Sequence, residues 1–155
     1  MKNVNSRDTE TRFADLRLDN DLKQKDVAKI LNVLENNYSK WERGITDIPL
    51  DKSNELANYY NCSFDYLFGL SEYNTKKVRK EINLKLFCER LYKLRKDHNL
   101  SQEQLSSAIG FHQRTYSHYE DGSRVPTSFK VYYISLYYKV SLDYLVGKSD
   151  DKSVG

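Results

Sequence analysis

The sequence predicts an all-α chain built as two tandem five-helix units, and three observations carry that prediction. First, the stretch NNYSKWERG, Asn36 to Gly44, returns 78 residues later as RTYSHYEDG, Arg114 to Gly122. At that offset Leu16 to Ser71 aligns without a gap with Leu94 to Ser149, with 18 identities in 56 positions. Self-similarity on this scale separates two small domains from one ordinary domain in a chain of 155 residues. Second, apolar residues recur at spacings of three and four, the period of one helix face. Third, the chain has only 2 prolines and 6 glycines, with glycine at the ends of the periodic segments, where helices stop. The expected division is a first domain at 9–72, a linker at 73–82 and a second domain at 83–149. A unit this small buries only roughly 60% of its unfolded surface, so each is expected to need contacts with the other half or with a second chain.

In the second unit, NLKLFCERLYKLRKDHN sets Leu84, Phe87, Leu91 and Leu94 on one stripe of a first helix. The second helix is LSQEQLSSAIG. Ser101 and Gln104 form a capping box, Leu105, Ala108 and Ile109 face inward, and Gly110 ends it after two turns. A third helix runs from about Gln113 to Glu120, buries Tyr116 and Tyr119, and stops at Gly122. In VPTSFKVYYISLYY, Pro126 precedes a Thr127 cap and a long fourth helix; Ser141 caps a short fifth, SLDYLVG, closed by Gly147. The first unit follows the same plan with poorer punctuation. Against Ser101, His112 and Thr127 it sets Lys23, Leu34 and Leu50, none able to accept a bond from an orphan helix N–H. At about 1 kcal/mol per good cap, it is expected to lack roughly 2 kcal/mol of local support and to lean on a neighbour.

The net charge of +3 is divided unevenly along the chain. Residues 12–72 carry 8 basic and 11 acidic side chains, residues 73–82 carry 4 and 1, and residues 83–150 carry 10 and 7. A phosphate backbone attracts the second half and mildly repels the first. No run of 18 apolar residues exists, and MKNVNSRDTETRF lacks the apolar core of a signal peptide, so the expected location is the cytoplasm, with no membrane partner. Cys62 and Cys88 stand at non-equivalent places without CxxC or neighbouring His, the pattern of reduced structural thiols. His98, His112 and His118 have no metal or triad spacing, and no phosphate loop, GxSxG or HExxH occurs. Nothing calls for a cofactor, a metal or an enzyme.

The repeated phrase separates two kinds of position. Tyr38 with Tyr116, and Trp41 with Tyr119, recur at i and i+3, the face a helix turns to its own core. The outward letters differ: Glu35, Asn36, Asn37 and Lys40 against Gln113, Arg114, Thr115 and His118. A polar, basic helix face is usually only a solvated face, but these residue types suit base edges. Arg bonds guanine bidentately, Asn or Gln bonds adenine, and Thr offers its methyl to thymine. Gln24 and Gln102 open the second helices and reach a phosphate from there, while Lys25, Lys40, Arg43, Arg114 and Arg124 supply charge. The candidate DNA-contact set is Gln102, His112, Gln113, Arg114, Thr115, Ser117, His118 and Arg124 in the second unit. In the first it is Gln24, Asn36, Asn37, Ser39, Lys40 and Arg43.

LRKDHNLSQEQLSSAIGFHQRTYSHYEDGSRVP followed by LYYKVSLDYLVG resembles the lambda-repressor and Cro type of helix-turn-helix domain. LRLDNDLKQKDVAKILNVLENNYSKWERG followed by LANYYNCSFDYLFG resembles it a second time. The resemblance covers nearly the whole chain apart from the ends and the linker. It implies five-helix DNA-binding domains whose helix 3 enters the major groove, usually on a two-fold operator. It also implies structural ion pairs between Arg17 and Glu42 and between Arg95 and Glu120, each tying helix 1 to the end of helix 3. Glu35 departs from the family pattern, because a carboxylate there repels phosphate, although it can accept from a cytosine amino group.

The expected function is a sequence-specific DNA-binding regulator acting as a repressor, with the second unit the safer reader of double-stranded DNA. The alternative makes the first unit a binder of a protein partner, with DNA contact left to the second unit or to neither. Half-sites on one DNA face lie about 34 Å apart, and a ten-residue linker reaches at most about 33 Å, so one chain barely spans both. Homodimerisation is the other route, with the tyrosine-rich YYISLYY and DYLVG stretches as its aromatic surface or as ordinary core.

Overall fold

The computed structural model describes residues 11–154, so residues 9 and 10 of the expected first domain lie outside it. The described residues form ten α-helices and no strand. The first five are α1 (Phe13–Asp19), α2 (Gln24–Ile30), α3 (Glu35–Glu42), α4 (Leu50–Tyr59) and α5 (Phe64–Leu67). The second five are α6 (Leu84–Asp97), α7 (Gln102–Ile109), α8 (Gln113–Asp121), α9 (Ser128–Tyr138) and α10 (Leu142–Leu145).

Local chemistry accounts for most helix ends. Ser101 Oγ accepts from Gln104 N–H at 3.0 Å while Gln104 Oε1 accepts from Ser101 N–H at 2.8 Å, a complete capping box on α7. Ser63 and Ser141 cap α5 and α10 in the same register of the two units. Gly110 and Gly122 end α7 and α8 in the left-handed region; in the first unit Asn32 takes that conformation after α2, with φ 56°. Gly147 has a second constraint besides its φ of 81°. A Cβ there would stand 2.6 Å from Cβ of Asn83, the residue that caps α6.

Four expectations need correction. His112 and Thr127 make no side-chain cap bond, so the contrast in capping reduces to Ser101 against Lys23. Even there Asp26 supplies half a box by accepting from Lys23 N–H at 2.8 Å. Leu50 is the first residue of α4 rather than its cap; the 78-residue offset from Thr127 reaches Pro49, which occupies the cap position. Ala108 is exposed and Ser106 takes the inward place, its hydroxyl bonded to the Gln102 carbonyl at 2.6 Å. Leu84 is 43% exposed, because the first turn of α6 extends past the core that Phe87, Leu91 and Leu94 enter.

The two units share one interior. Phe68 of the first packs edge-on against Phe129 of the second, with ring centroids 5.4 Å apart, and the Ser53 and Ser128 hydroxyls meet at 2.6 Å. The cap missing from Thr127 comes across the junction, where Asp47 accepts from Phe129 N–H at 3.1 Å and the Ile48 carbonyl accepts from Ser128 N–H at 3.1 Å. Support therefore runs from the first unit to the second as well as the reverse. The N-termini of α5 and α10 face each other. Asp143 accepts from Phe64 and Asp65 N–H at 2.9 and 3.0 Å, and Asp65 accepts from Leu142 N–H at 2.7 Å and Ser141 Oγ at 2.6 Å.

Both aspartates are fully buried, and Lys76 stands 3.7 Å from Asp65. Lys148, also fully buried, lays its ammonium over the Phe64 ring at 4.7 Å, and burial lowers its pKa. DYLVG is thus buried inside this chain, and of the tyrosine-rich helix Leu136 and Tyr137 remain exposed.

Burial and the neighbouring Asp143 carboxylate push Asp65 up to about 6. Its folded-state value lies above the ordinary carboxylate range, so the native state holds this proton more tightly than the unfolded chain. The stability from this group is complete below about pH 4 and is lost as pH rises through about 6. Asp65→Asn is expected to flatten the fall in melting temperature between about pH 5 and pH 7. A slope identical to that of the parent chain would assign the fall to another group.

Candidate nucleic-acid interface

In each unit one ionic network sets the position of the third helix. Arg17 of α1 donates from Nη2 to Glu42 Oε1 at 2.9 Å and from Nε to Oε2 at 3.0 Å, while its Nη1 reaches the Leu22 carbonyl at 3.0 Å. Arg95 of α6 does the same with Glu120 at 2.9 and 2.7 Å and with the Leu100 carbonyl at 2.9 Å. Three elements are tied at one guanidinium: the first helix, the turn into the second, and the end of the third. Burial alone would raise the Glu120 pKa, but the hydrogen bonds and charge of Arg95 hold it below the usual carboxylate range. Glu42 is lowered in the same way by Arg17.

With that end fixed, Tyr38 and Tyr116 are fully buried and Tyr119 nearly so, while Trp41 is half-buried against the core. The opposite face of α8 is open. Gln113 and Arg114 are exposed, Thr115, Ser117 and His118 are half-exposed, and His112 stands exposed just before the helix. Among the described residues the Arg114 side chain has no partner. His118 Nδ1 lies 2.8 Å from Ser123 Oγ and 3.6 Å from Asp121, and Arg124 is exposed in the loop that follows. Beside this row an open hollow runs from Lys96 and Asn99 past Ser101 and Gln102 to Gln113, along the N-terminus of α7.

The α3 face carries different chemistry. Asn36 and Asn37 are exposed, Ser39 and Lys40 are half-buried, and Arg43 folds back to bond the Ser39 hydroxyl at 3.1 Å. Leu34 is 73% exposed where the second unit has His112, and the exposed Glu35 follows where it has Gln113. The structure thus sets most of the candidate residues in two rows, one on α3 and one on α8, with Gln24 and Gln102 at the starts of α2 and α7, Arg43 just after α3 and Arg124 in the loop after α8.

Sequence reasoning missed the groups that join the units: Asp47, Asp65, Lys76, Asp143 and Lys148. The near-identity of SFDYLFG and SLDYLVG was the available signal for the two aspartates. Neither a metal-competent group of three or more His, Cys, Asp or Glu residues nor a helix long and apolar enough to cross a membrane occurs among the described residues.

A short second helix, a turn and a clamped third helix with an open polar row, present twice, define the helix-turn-helix class. Comparison with known proteins agrees: a helix-turn-helix domain family matches residues 88–150 and a second helix-turn-helix family matches residues 13–67. The chain is 41% identical over 66 residues to the uncharacterized HTH-type transcriptional regulator YobD of Bacillus subtilis, covering 43% of this chain and 59% of that protein. It is 40% identical over 60 residues to the HTH-type transcriptional regulator ImmR of Bacillus subtilis, covering 39% and 47%. It is 31% identical over 75 residues to the cryptic phage CTXphi transcriptional repressor RstR of Vibrio cholerae, covering 48% and 68%. The chain thus spans about half to three-fifths of the Bacillus relatives. No solved structure gives a significant match. The chain belongs to the helix-turn-helix family of the lambda-repressor and Cro type, in two tandem copies. Its domains are those of DNA-binding regulators rather than of enzymes.

Removing Glu120 leaves Arg95 buried without its counter-charge, so Glu120→Ala is expected to cost about 3 kcal/mol. Glu103→Ala changes an exposed side chain and is expected to cost no more than about 0.5 kcal/mol. Thermal unfolding of the two variants compares them, and equal losses would remove the pair from the scaffold.

Proposed function

We propose that the chain is a sequence-specific DNA-binding transcriptional regulator of the repressor kind, reading the major groove with α8 and using α3 as a second reader. One observation carries this reading: Arg114 stands exposed and unpartnered next to Gln113 on a helix whose other face is locked by Tyr116, Tyr119 and the Arg95–Glu120 pair. A rigid rod with donors for guanine and adenine at its N-terminal end fits the groove geometry of this motif. The excess of basic side chains in residues 83–150 and the open N-terminus of α7 beside Lys96 suit the flanking phosphates. The repressor role of the Vibrio relative supports the direction of control.

A second reading assigns the first unit to a protein partner, and the exposed Leu34 beside Glu35 favours it, since neither attracts a phosphate. Asn36→Ala and Asn37→Ala separate the readings. Loss of affinity for the selected duplex supports α3 as a reader; unchanged affinity supports the partner-protein role.

Selecting bound sequences from a pool of random duplexes tests the function itself. On the selected site Arg114→Ala is expected to cost about 1–3 kcal/mol and to relax preference at one base pair. Unchanged affinity would take Arg114 off the reading surface.

A further inference from the structure

We propose that a single chain occupies both halves of an inverted-repeat duplex site, with α3 and α8 disposed about an internal two-fold axis, and that the two halves of the site differ in base sequence. This rests on the reading of α8 as a groove-binding helix.

The axis is defined by contacts that exchange partners. Phe64 N–H donates to Asp143 at 2.9 Å, and Leu142 N–H donates to Asp65 at 2.7 Å. Leu142 is the counterpart of Phe64 and Asp143 the counterpart of Asp65, each 78 residues on. An operation that carries the first unit onto the second and the second back onto the first is its own inverse. It is therefore a two-fold rotation, the self-complementary geometry of a symmetric dimer, closed here within one chain. A two-fold rotation leaves height along its axis unchanged, so α3 and α8 sit at equal height on opposite sides of that axis. In the proposed complex the duplex lays its own dyad on the same line and so meets both helices at once.

Residues 73–82 do not set the separation of the two rows. The Lys80 carbonyl accepts from Asn54 and Asn58 at 3.0 Å each, Arg79 N–H binds the Lys148 carbonyl at 2.8 Å, and Lys76 Nζ binds Ser141 Oγ at 3.0 Å. The segment is fastened across the α5–α10 junction rather than strung between two free bodies, so the spacing is a property of the packed interior.

The two rows are unlike. Gln113 and Arg114 suit adenine and guanine, whereas Leu34 offers alkyl surface to a thymine methyl and Glu35 can accept from a cytosine amino group. Both Leu34 and Glu35 are exposed, so exchanging them for the residues of the second unit leaves the core untouched.

The test uses the full chain and a random-duplex selection, followed by native mass spectrometry of the complex with the selected duplex. The expected motif has two inverted, non-identical halves centred about 10 base pairs apart, with one chain bound per duplex. Inserting half a helical turn between the halves is expected to lower affinity by about tenfold or more, because the second contact is then lost. The double variant L34H/E35Q is expected to change the preferred bases in one half only, toward those of the other. A motif with one half, two chains per duplex, or indifference to the insertion would overturn the internal dyad. An unchanged motif for a double variant with the parent melting temperature would overturn the unequal halves. Failure to retain any duplex would instead overturn the reading of α8 on which the proposal rests.

Discussion

Everything on the open faces of α3 and α8 depends on a guanidinium gripping a carboxylate in each unit. The third helix is only eight or nine residues long, too short to hold itself in water, and its stability has to come from packing. Arg17 and Arg95 each contribute two bonds to a glutamate and a third to a turn carbonyl, so the angle between the first helix and the third is fixed at the same point as the turn into the second. The desolvation of these charges is offset by the carboxylate and the turn carbonyl that each guanidinium meets. What remains outside the clamp is free to vary, which is why the two units keep Tyr and Glu in step and differ at most of the outward letters.

The junction between units applies the same physics to helix ends. A four-residue helix has almost no internal hydrogen bonds, and its first N–H groups need acceptors from elsewhere. Asp65 and Asp143 meet that need reciprocally, each on the other's helix, at the cost of placing two carboxylates close together in a dry interior. Ser141 and Lys76 ease that cost around Asp65. Lys148 enters with its charge facing the Phe64 ring and reaching the Asn58 side-chain oxygen at 3.5 Å. Its counterpart is Leu70, so the two sides of the junction are alike in backbone and unlike in chemistry.

What was legible in the sequence was local. Ser101 and Gln104 announce a helix start because box and helix lie within four residues, and Gly110 and Gly122 announce stops because few other residues accept their backbone angles. Tyr116 and Tyr119 were placed inward by spacing alone. The failures are long-range. Asp47 caps α9 from 82 residues away, so Thr127 could be assigned a role its side chain does not take. Ala108 lies on the edge of the apolar stripe, where period alone cannot separate facing from flanking positions. The buried Lys148 contradicts the ordinary behaviour of lysine, and the Phe64 ring and the Asn58 side-chain oxygen it meets, from the other unit, were not visible in its local sequence. At the candidate interface the residue types were visible, but the fold-back of Arg43 onto the Ser39 hydroxyl was not.

The α5–α10 contact has a consequence for dose. Two separate subunits must find each other before they can act as a pair, so the active species scales with the square of the subunit concentration when the pair is weak. Here the partner is always attached, and the contact survives any dilution the fold itself survives. On the proposed single-chain binding, occupancy of the site is graded rather than sigmoidal with dose. A few copies in a cell are as well assembled as many.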